Sequence, residues 1–209
     1  MTEQERYIMR HIDPEDDVLK ELDRETNLNV LNARMLSGNL QGQFLTMLSK
    51  MINPERILEL GTYTGYSAIC LAKGLKPGGK LITIETDDEI ESMADKYFLK
   101  AGLQDEIILL TGPALEIIPS LNEIFDLVYI DADKREYSAY YHMIFNKVRK
   151  GGYIIADNTL WNGKVYKSPP PRDSQSLGII EFNELVKNDL RVEKVILPLR
   201  DGMTIIRKK

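Results

Sequence analysis

Residues 56–72 read RILELGTYTGYSAICLA. Ile57, Leu58 and Leu60 form a short apolar run of the kind a strand buried on both faces needs. Gly61, Thr62, Tyr63, Thr64 and Gly65 read as a turn, and 67–75 as a helix with Ile69, Leu71 and Ala72 free to pack on a sheet. Strand, glycine turn and helix open an α/β sheet and form a cradle for a ligand. The glycines let a ligand approach the backbone with no Cβ in the way, and the helix start offers N–H groups. A plain αβ turn with no ligand would carry the same two glycines.

The pattern repeats downstream. Apolar runs at 57–60, 81–84, 107–110, 127–130 and 153–156 alternate with helical stretches at 67–75, 88–101, 113–121 and 134–148. That alternation predicts a parallel sheet with helices on both faces. The end departs from it. The strand-like segments 192–197 and 203–207 are separated only by 198–202, which allows an antiparallel hairpin and no helical crossover. The last strand is therefore expected to run in reverse.

Upstream, Asp13-Pro14-Glu15-Asp16 reads as a helix start, with a capping acid and then proline. Val18, Leu19, Leu22 and Leu28 give one apolar stripe, and Phe44, Leu45, Leu48, Met51 and Ile52 a second. Between them, 35–39 (MLSGN) either folds over a ligand or simply joins two helices. The triple proline within 167–172 favours an extended loop.

The turn's spacing selects a ligand. Dinucleotide sites use G-x-G-x-x-G, whereas here Glu59 precedes Gly61 and the next glycine is Gly65. A carboxylate there repels a pyrophosphate and suits a cation. Glu85 ends the next apolar run, roughly 20 residues on, where an acid binds ribose hydroxyls. A ribose and a cationic group without phosphates describe S-adenosylmethionine.

A second set of acids ends two further runs: Asp131 with Asp133 and Lys134 after 127–130, and Asp157 with Asn158 after 153–156. Neighbouring strands lie about 4.8 Å apart, so Asp131, Asp157 and Asn158 can converge. Oxygen ligands without His or Cys suit a hard cation such as Mg²⁺. Helix capping is the other role open to each acid alone. Lys134 is either a general base beside that cation, with its pKa lowered, or a solvated lysine. His11 and His142 lie at no strand end.

Composition sets the bounds. At 209 residues the chain predicts one domain, 1–209, with N-terminal helices over 1–52 and a core over 53–209. Hydrophobic residues at 43% and charged at 28% are ordinary for a globular protein. A net charge of −5 argues against a broad nucleic-acid footprint. The single cysteine, Cys70, excludes an internal disulfide and fits a reducing compartment. No run is long enough to span a membrane. The acidic start lacks an apolar signal core, so a cytoplasmic protein is expected.

The same residues carry a resemblance. GQFL (42–45), ELGTYTGYSA (59–68), GPAL (112–115), DADK (131–134), DNTLWNG (157–163) and LRDGMTI (199–205), in that order, resemble the cation-dependent O-methyltransferases, the group of the catechol and caffeoyl-CoA enzymes. The resemblance runs from about Ser37 to the C-terminus. It implies a Rossmann-like methyltransferase fold, a seven-stranded, mostly parallel sheet with an antiparallel last strand. It implies that Glu59, Gly61, Thr62, Ser67, Glu85, Ala114, Asp131 and Asp133 bind S-adenosylmethionine. Asp131, Asp157 and Asn158 match the ligands of Mg²⁺ or another divalent cation such as Ca²⁺ or Mn²⁺. Lys134 and Asp131 match the catalytic pair, and Ser37 and Asn162 match substrate positions. A homodimer through the N-terminal helices is implied as well.

The expected activity is therefore methylation of a hydroxyl on a small vicinal-diol aromatic, with no nucleic-acid or membrane partner. The 165–176 segment departs from the plant pattern, which points away from phenylpropanoid-CoA acceptors. A bacterial branch that methylates 5-hydroxyuridine in transfer RNA resembles the chain less, having alanine where Asp133 stands. An NAD-dependent oxidoreductase on a similar sheet is disfavoured by the Glu59-x-Gly61 turn and the terminal hairpin.

Overall fold

Every apolar run becomes a strand, and the strands form one seven-stranded sheet. In the computed structural model, which describes residues 3–169 and 171–209, they are β1 Arg56–Leu60, β2 Lys80–Glu85, β3 Ile107–Thr111, β4 Phe125–Ile130, β5 Val148–Asp157, β6 Val192–Leu197 and β7 Met203–Lys208. The order across the sheet is β3-β2-β1-β4-β5-β7-β6. The first five pair in parallel, and β7 runs antiparallel to both β5 and β6.

The reversed final strand is thus inserted between two others, and β6 forms the edge. Burial explains the choice. Met203 and Ile206 of β7 are fully buried, whereas Glu193, Lys194, Val195 and Ile196 of β6 are exposed. A charged strand tolerates the edge and an apolar one does not. β5 is longer than its apolar run, because its first half, Arg149-Lys150-Gly151-Gly152, joins through a register shift opposite β4.

The helices are α1 Glu3–His11, α2 Asp17–Asn29, α3 Gly38–Ile52, α4 Tyr66–Ala72, α5 Glu91–Lys100, α6 Ala114–Ile117, α7 Tyr137–Phe145 and α8 Ser174–Asn188. Strand alternation assigns them to faces. Leu58, Ile82, Val128 and Ile154 pack with Tyr141, Ile144, Ile179 and Phe182 of α7 and α8. Ile57, Leu81, Leu127 and Ile155 pack with Leu22, Leu45, Ile69 and Tyr97 of α2 to α5. Each such fully buried aliphatic side chain contributes roughly 1.5–3 kcal/mol, so both faces of the sheet are closed.

Several helices start later or stop sooner than the spacing predicts. Residues 88–90, 118–120 and 134–136 form 3₁₀ turns instead of α-helix. α2 starts beyond Asp16, not at Asp13, because the Asp16 carboxylate accepts from Val18 N at 2.9 Å and pairs with Lys73 at 3.1 Å. Leu28 lies outside the stripe and is exposed. Pro170 of the triple proline lies outside the described residues. Residues 167–169 form neither helix nor strand.

α2 is fastened across α4 and α5. Glu25 pairs with Lys96 at 2.6 Å and accepts from Tyr97 OH at 2.6 Å, and Thr26 donates to Thr64 at 3.1 Å. Tyr63 OH donates to the Leu31 carbonyl at 3.0 Å. These bonds set the N-terminal helices against the glycine turn. No helix among the described residues is long and apolar enough to cross a membrane.

Candidate active site

Sheet register aligns the expected residues. Leu60 lies opposite Ile84 and Ile130, and Ile130 opposite Ala156. The next residue on each strand is Gly61, Glu85, Asp131 and Asp157, so these four form a row at the carboxyl edge. That edge is where open α/β sheets bind ligands.

Gly61 is the joint of the row. It has φ +95°, and an added Cβ would overlap the Asp131 carbonyl oxygen and lie 2.8 Å from its carbon. Its N–H donates to Ile84 O at 2.9 Å, and Asp131 N donates to Leu60 O at 2.9 Å. The turn and the acidic loop are therefore in backbone contact. Tyr63, with φ +48°, donates its N–H to Glu85 Oε2 at 2.7 Å, while Thr86 N and Asp87 N donate to Oε1 at 2.8 and 3.1 Å. Glu85 so holds both the turn after β1 and the loop after β2. Ala114 begins α6 just beyond Gly112, whose N–H donates to Glu85 O at 2.7 Å.

Glu59 lies beneath this turn and is fully buried. Thr83 Oγ1 donates to its Oε2 at 2.6 Å, and Thr62 Oγ1 lies 2.5 Å from Thr83 Oγ1. Its Oε1 has no hydrogen-bond partner among the described residues. Burial pushes the Glu59 carboxyl up to about 8, although the Ser67 and Thr83 hydroxyls favour the ionised form. A buried acid of this kind ionises readily only when a cation arrives.

The folded pKa lies above the unfolded value, so Glu59's contribution is complete below about pH 4.5 and is lost as pH rises through 8. Ligand-free protein melted at pH 5 and pH 9 is therefore expected to fall in Tm by less in Glu59→Gln than in wild type. Equal falls would show that Glu59 does not titrate this way.

The oxygen-rich end is built on β4 and β5. Lys134 is buried, with Nζ donating to Asp131 Oδ1 at 2.6 Å and to Tyr137 OH at 2.9 Å. Tyr137 OH also lies 3.2 Å from Ile130 O and 3.1 Å from Asp157 O, tying the two strand ends together. Gly178 of α8 lets that helix lie directly on the Lys134 carbonyl, which a Cβ would overlap. Asp157 is 2% exposed. Burial and the like charge of Asp131 hold its carboxyl above the usual range, and Gln41 and Asn158 N oppose the shift. Asn158 occupies the left-handed region at φ +57°.

Two carboxylates and an amide at adjacent strand ends are hard oxygen donors of the set divalent cations favour. The mutual repulsion of Asp131 and Asp157 is what a cation between them would relieve. No group of three or more His, Cys, Asp or Glu placed to hold a metal occurs among the described residues.

The other expected residues lie around this row. Asp133 is held in a bidentate pair with Arg135 and accepts from Arg135 N at 3.0 Å, capping the 134–136 turn. Ser37 is buried ahead of α3, and its carbonyl accepts from Arg200. Asn162 is exposed and left-handed at φ +52°, with its N–H donating to Asp201 at 2.5 Å. Trp161 lies beside the site, its ring centre 6.0 Å from Lys134 Nζ. Gln41, Tyr129, Tyr137 and Arg200 belong to this constellation, and of these only Arg200 lies in one of the motifs quoted above, LRDGMTI.

Known proteins match this chain in sequence and fold. The family described as O-methyltransferase matches residues 9–209. Caffeoyl-CoA O-methyltransferase 1 from Eucalyptus globulus is 35% identical over 204 residues, covering 93% of this chain and 82% of that protein. The O-methyltransferase from Bacillus cereus, solved with S-adenosylhomocysteine (SAH), superimposes with a TM-score of 0.89 at 31% identity over 100% of this chain and 98% of that one. TomG from Streptomyces achromogenes, an O-methyltransferase of tomaymycin synthesis solved with S-adenosylmethionine (SAM), gives 0.91 at 28% identity over the whole of both chains.

Proposed function

The chain belongs to the O-methyltransferase family and is an S-adenosylmethionine-dependent O-methyltransferase, and on that premise we propose that it methylates one hydroxyl of a small catechol-like aromatic held by a divalent cation such as Mg²⁺. The observation that carries the reading is the backbone contact of Gly61 on Asp131. It sets the cofactor turn directly beside the pair of carboxylates and Lys134.

In this reading Glu59, Gly61, Thr62, Ser67, Glu85, Ala114, Asp131 and Asp133 bind S-adenosylmethionine, which supplies the methyl on a sulfonium. Asp131, Asp157 and Asn158 would hold the cation, whose charge favours the ionised form of an acceptor hydroxyl and whose coordination suits two adjacent oxygens. Lys134 Nζ, positioned by Asp131 and Tyr137, would take the hydroxyl proton as the neutral amine, with two N–H bonds donated and its lone pair free. With S-adenosylmethionine bound, its sulfonium methyl would be the group passed to that oxygen, leaving S-adenosylhomocysteine. Ser37 and Asn162 flank the acceptor. Most of the rate comes from holding oxygen, carbon and sulfur in line.

The test is methyl transfer from labelled S-adenosylmethionine with Mg²⁺, offered catechols, monophenols and transfer RNA carrying 5-hydroxyuridine in parallel. Label on catechols supports the reading; label on RNA alone overturns it.

Glu85→Ala is expected to weaken S-adenosylmethionine binding by about 1.5–3 kcal/mol, the range for a hydrogen bond to a charged group. The same change frees Tyr63 N, so the turn loosens too. Calorimetry giving wild-type affinity would remove Glu85 from the ribose.

A further inference from the structure

Gln41 stands in the first turn of α3, a helix that otherwise sends Leu45 into the core, yet its amide is itself 1% exposed. An amide buried that deeply is costly unless its polar atoms are paired. Here they are paired toward the candidate cation site. Nε2 donates to Asp157 Oδ2 at 2.6 Å and to Tyr129 OH at 2.9 Å. Oε1 accepts from Arg200 Nη1 at 3.2 Å. The Tyr129 hydroxyl hydrogen continues to Asp157 Oδ2 at 3.2 Å. Only one orientation of the amide satisfies both neighbours, because a guanidinium only donates and a carboxylate only accepts.

We propose that Gln41 is a positioning residue for a divalent cation: with Tyr129 it fixes the Asp157 carboxylate, and Arg200 fixes Gln41. The inference rests on the cation reading above and assigns roles to side chains that are not ligands. Two donors occupy Asp157 Oδ2, and Asn158 N donates to Oδ1 at 2.8 Å. Oδ1 is left with free acceptor capacity, so Asp157 would offer one oxygen in a fixed direction. The carboxylate is held from α3 and β4 and not only by its own strand.

The chain of bonds continues outward. Arg200 Nη1 also donates to Leu36 O at 2.9 Å and to Ser37 O. Arg200 sits at φ +47° in the β6–β7 link, a conformation uncommon for a residue with a side chain. One guanidinium therefore joins the Ser37 backbone, on the acceptor side, to the amide that holds Asp157.

The test measures the cation alone. Mn²⁺ is titrated calorimetrically into full-length wild type, Gln41→Met and Tyr129→Phe, with no cofactor or acceptor present. S-adenosylmethionine affinity and Tm are measured alongside. Gln41→Met keeps the volume and removes the donors, and it is expected to weaken Mn²⁺ by about 10–100-fold, the usual loss when an outer-shell partner of a ligand is removed. Tyr129→Phe removes one donor isosterically and is expected to weaken Mn²⁺ less, in the same direction, which decides the matter should Gln41→Met fail to fold. S-adenosylmethionine affinity stays at the wild-type value in both. Wild-type Mn²⁺ affinity in both folded variants overturns the inference. So does a parallel loss of Mn²⁺ binding, cofactor binding and Tm, which is what a merely structural role produces. No saturable Mn²⁺ binding by wild type removes the cation reading and this inference with it.

Discussion

Gly61→Ala is expected to abolish useful cofactor binding and to lower kcat/KM by about 10²-fold or more, the loss that follows a misplacement of roughly 1 Å. The new methyl would overlap the Asp131 carbonyl oxygen, and φ at this position is +95°. Neither side can yield cheaply. Gly61 N is bonded to Ile84 O and Asp131 N to Leu60 O, so movement breaks strand-end bonds on β1, β2 and β4 together. Strained backbone of this kind costs of order 1–3 kcal/mol, and a fall in Tm is expected with the loss of binding. Gly78→Ala is the control. It shares a positive φ of +77° but meets nothing within 4 Å. Calorimetric binding and a thermal melt of both variants decide. A Gly61→Ala protein that binds S-adenosylmethionine like wild type would mean that the turn is not the cradle.

Asp157→Asn is expected to leave the fold intact and reduce turnover by about 10³-fold or more, since the charge stabilisation a catalytic cation offers is worth several kcal/mol. Asparagine keeps an acceptor for Gln41 and relieves the repulsion from Asp131 that holds Asp157 above the usual range. Asp157→Ala is less clean, because it also leaves Gln41 Nε2, Tyr129 OH and Asn158 N without their acceptor. Each buried donor so orphaned costs about 1–3 kcal/mol. Steady-state rates in Mg²⁺ and in excess chelator, with melting curves, separate the two effects. Undiminished turnover in Asp157→Asn would remove the carboxylate from catalysis.

Strands were legible because a parallel sheet covered on both faces needs unbroken apolar runs, and each run became a strand. The insertion of β7 was not legible, since the short 198–202 link requires a hairpin without saying which arm faces β5. The early half of β5 was hidden because Arg149-Lys150-Gly151-Gly152 has no apolar run to betray it. Acids ending apolar runs were visible as candidates because register brings strand ends level. Gln41 was not. Its partners Tyr129, Asp157 and Arg200 lie 88, 116 and 159 residues away, and spacing along the chain carries no trace of such contacts. Tyr129 falls in the 127–130 apolar run and Tyr137 in the 134–148 helical stretch, and only the fold shows their hydroxyls at the strand ends.

In the proposed reaction the acceptor is held through two adjacent oxygens beside Asp131, Asp157 and Asn158. Mg²⁺ favours near-octahedral coordination, and two carboxylates and an amide leave room for a bidentate acceptor. The most direct measurement is the initial methylation rate of a catechol and of its monohydroxy analogue, at equal concentration with S-adenosylmethionine and Mg²⁺. The catechol is expected to react about 10²-fold faster or more, mainly through kcat/KM, because the missing oxygen removes both anchoring and orientation. Comparable rates for the two would mean that the acceptor is not held through both oxygens.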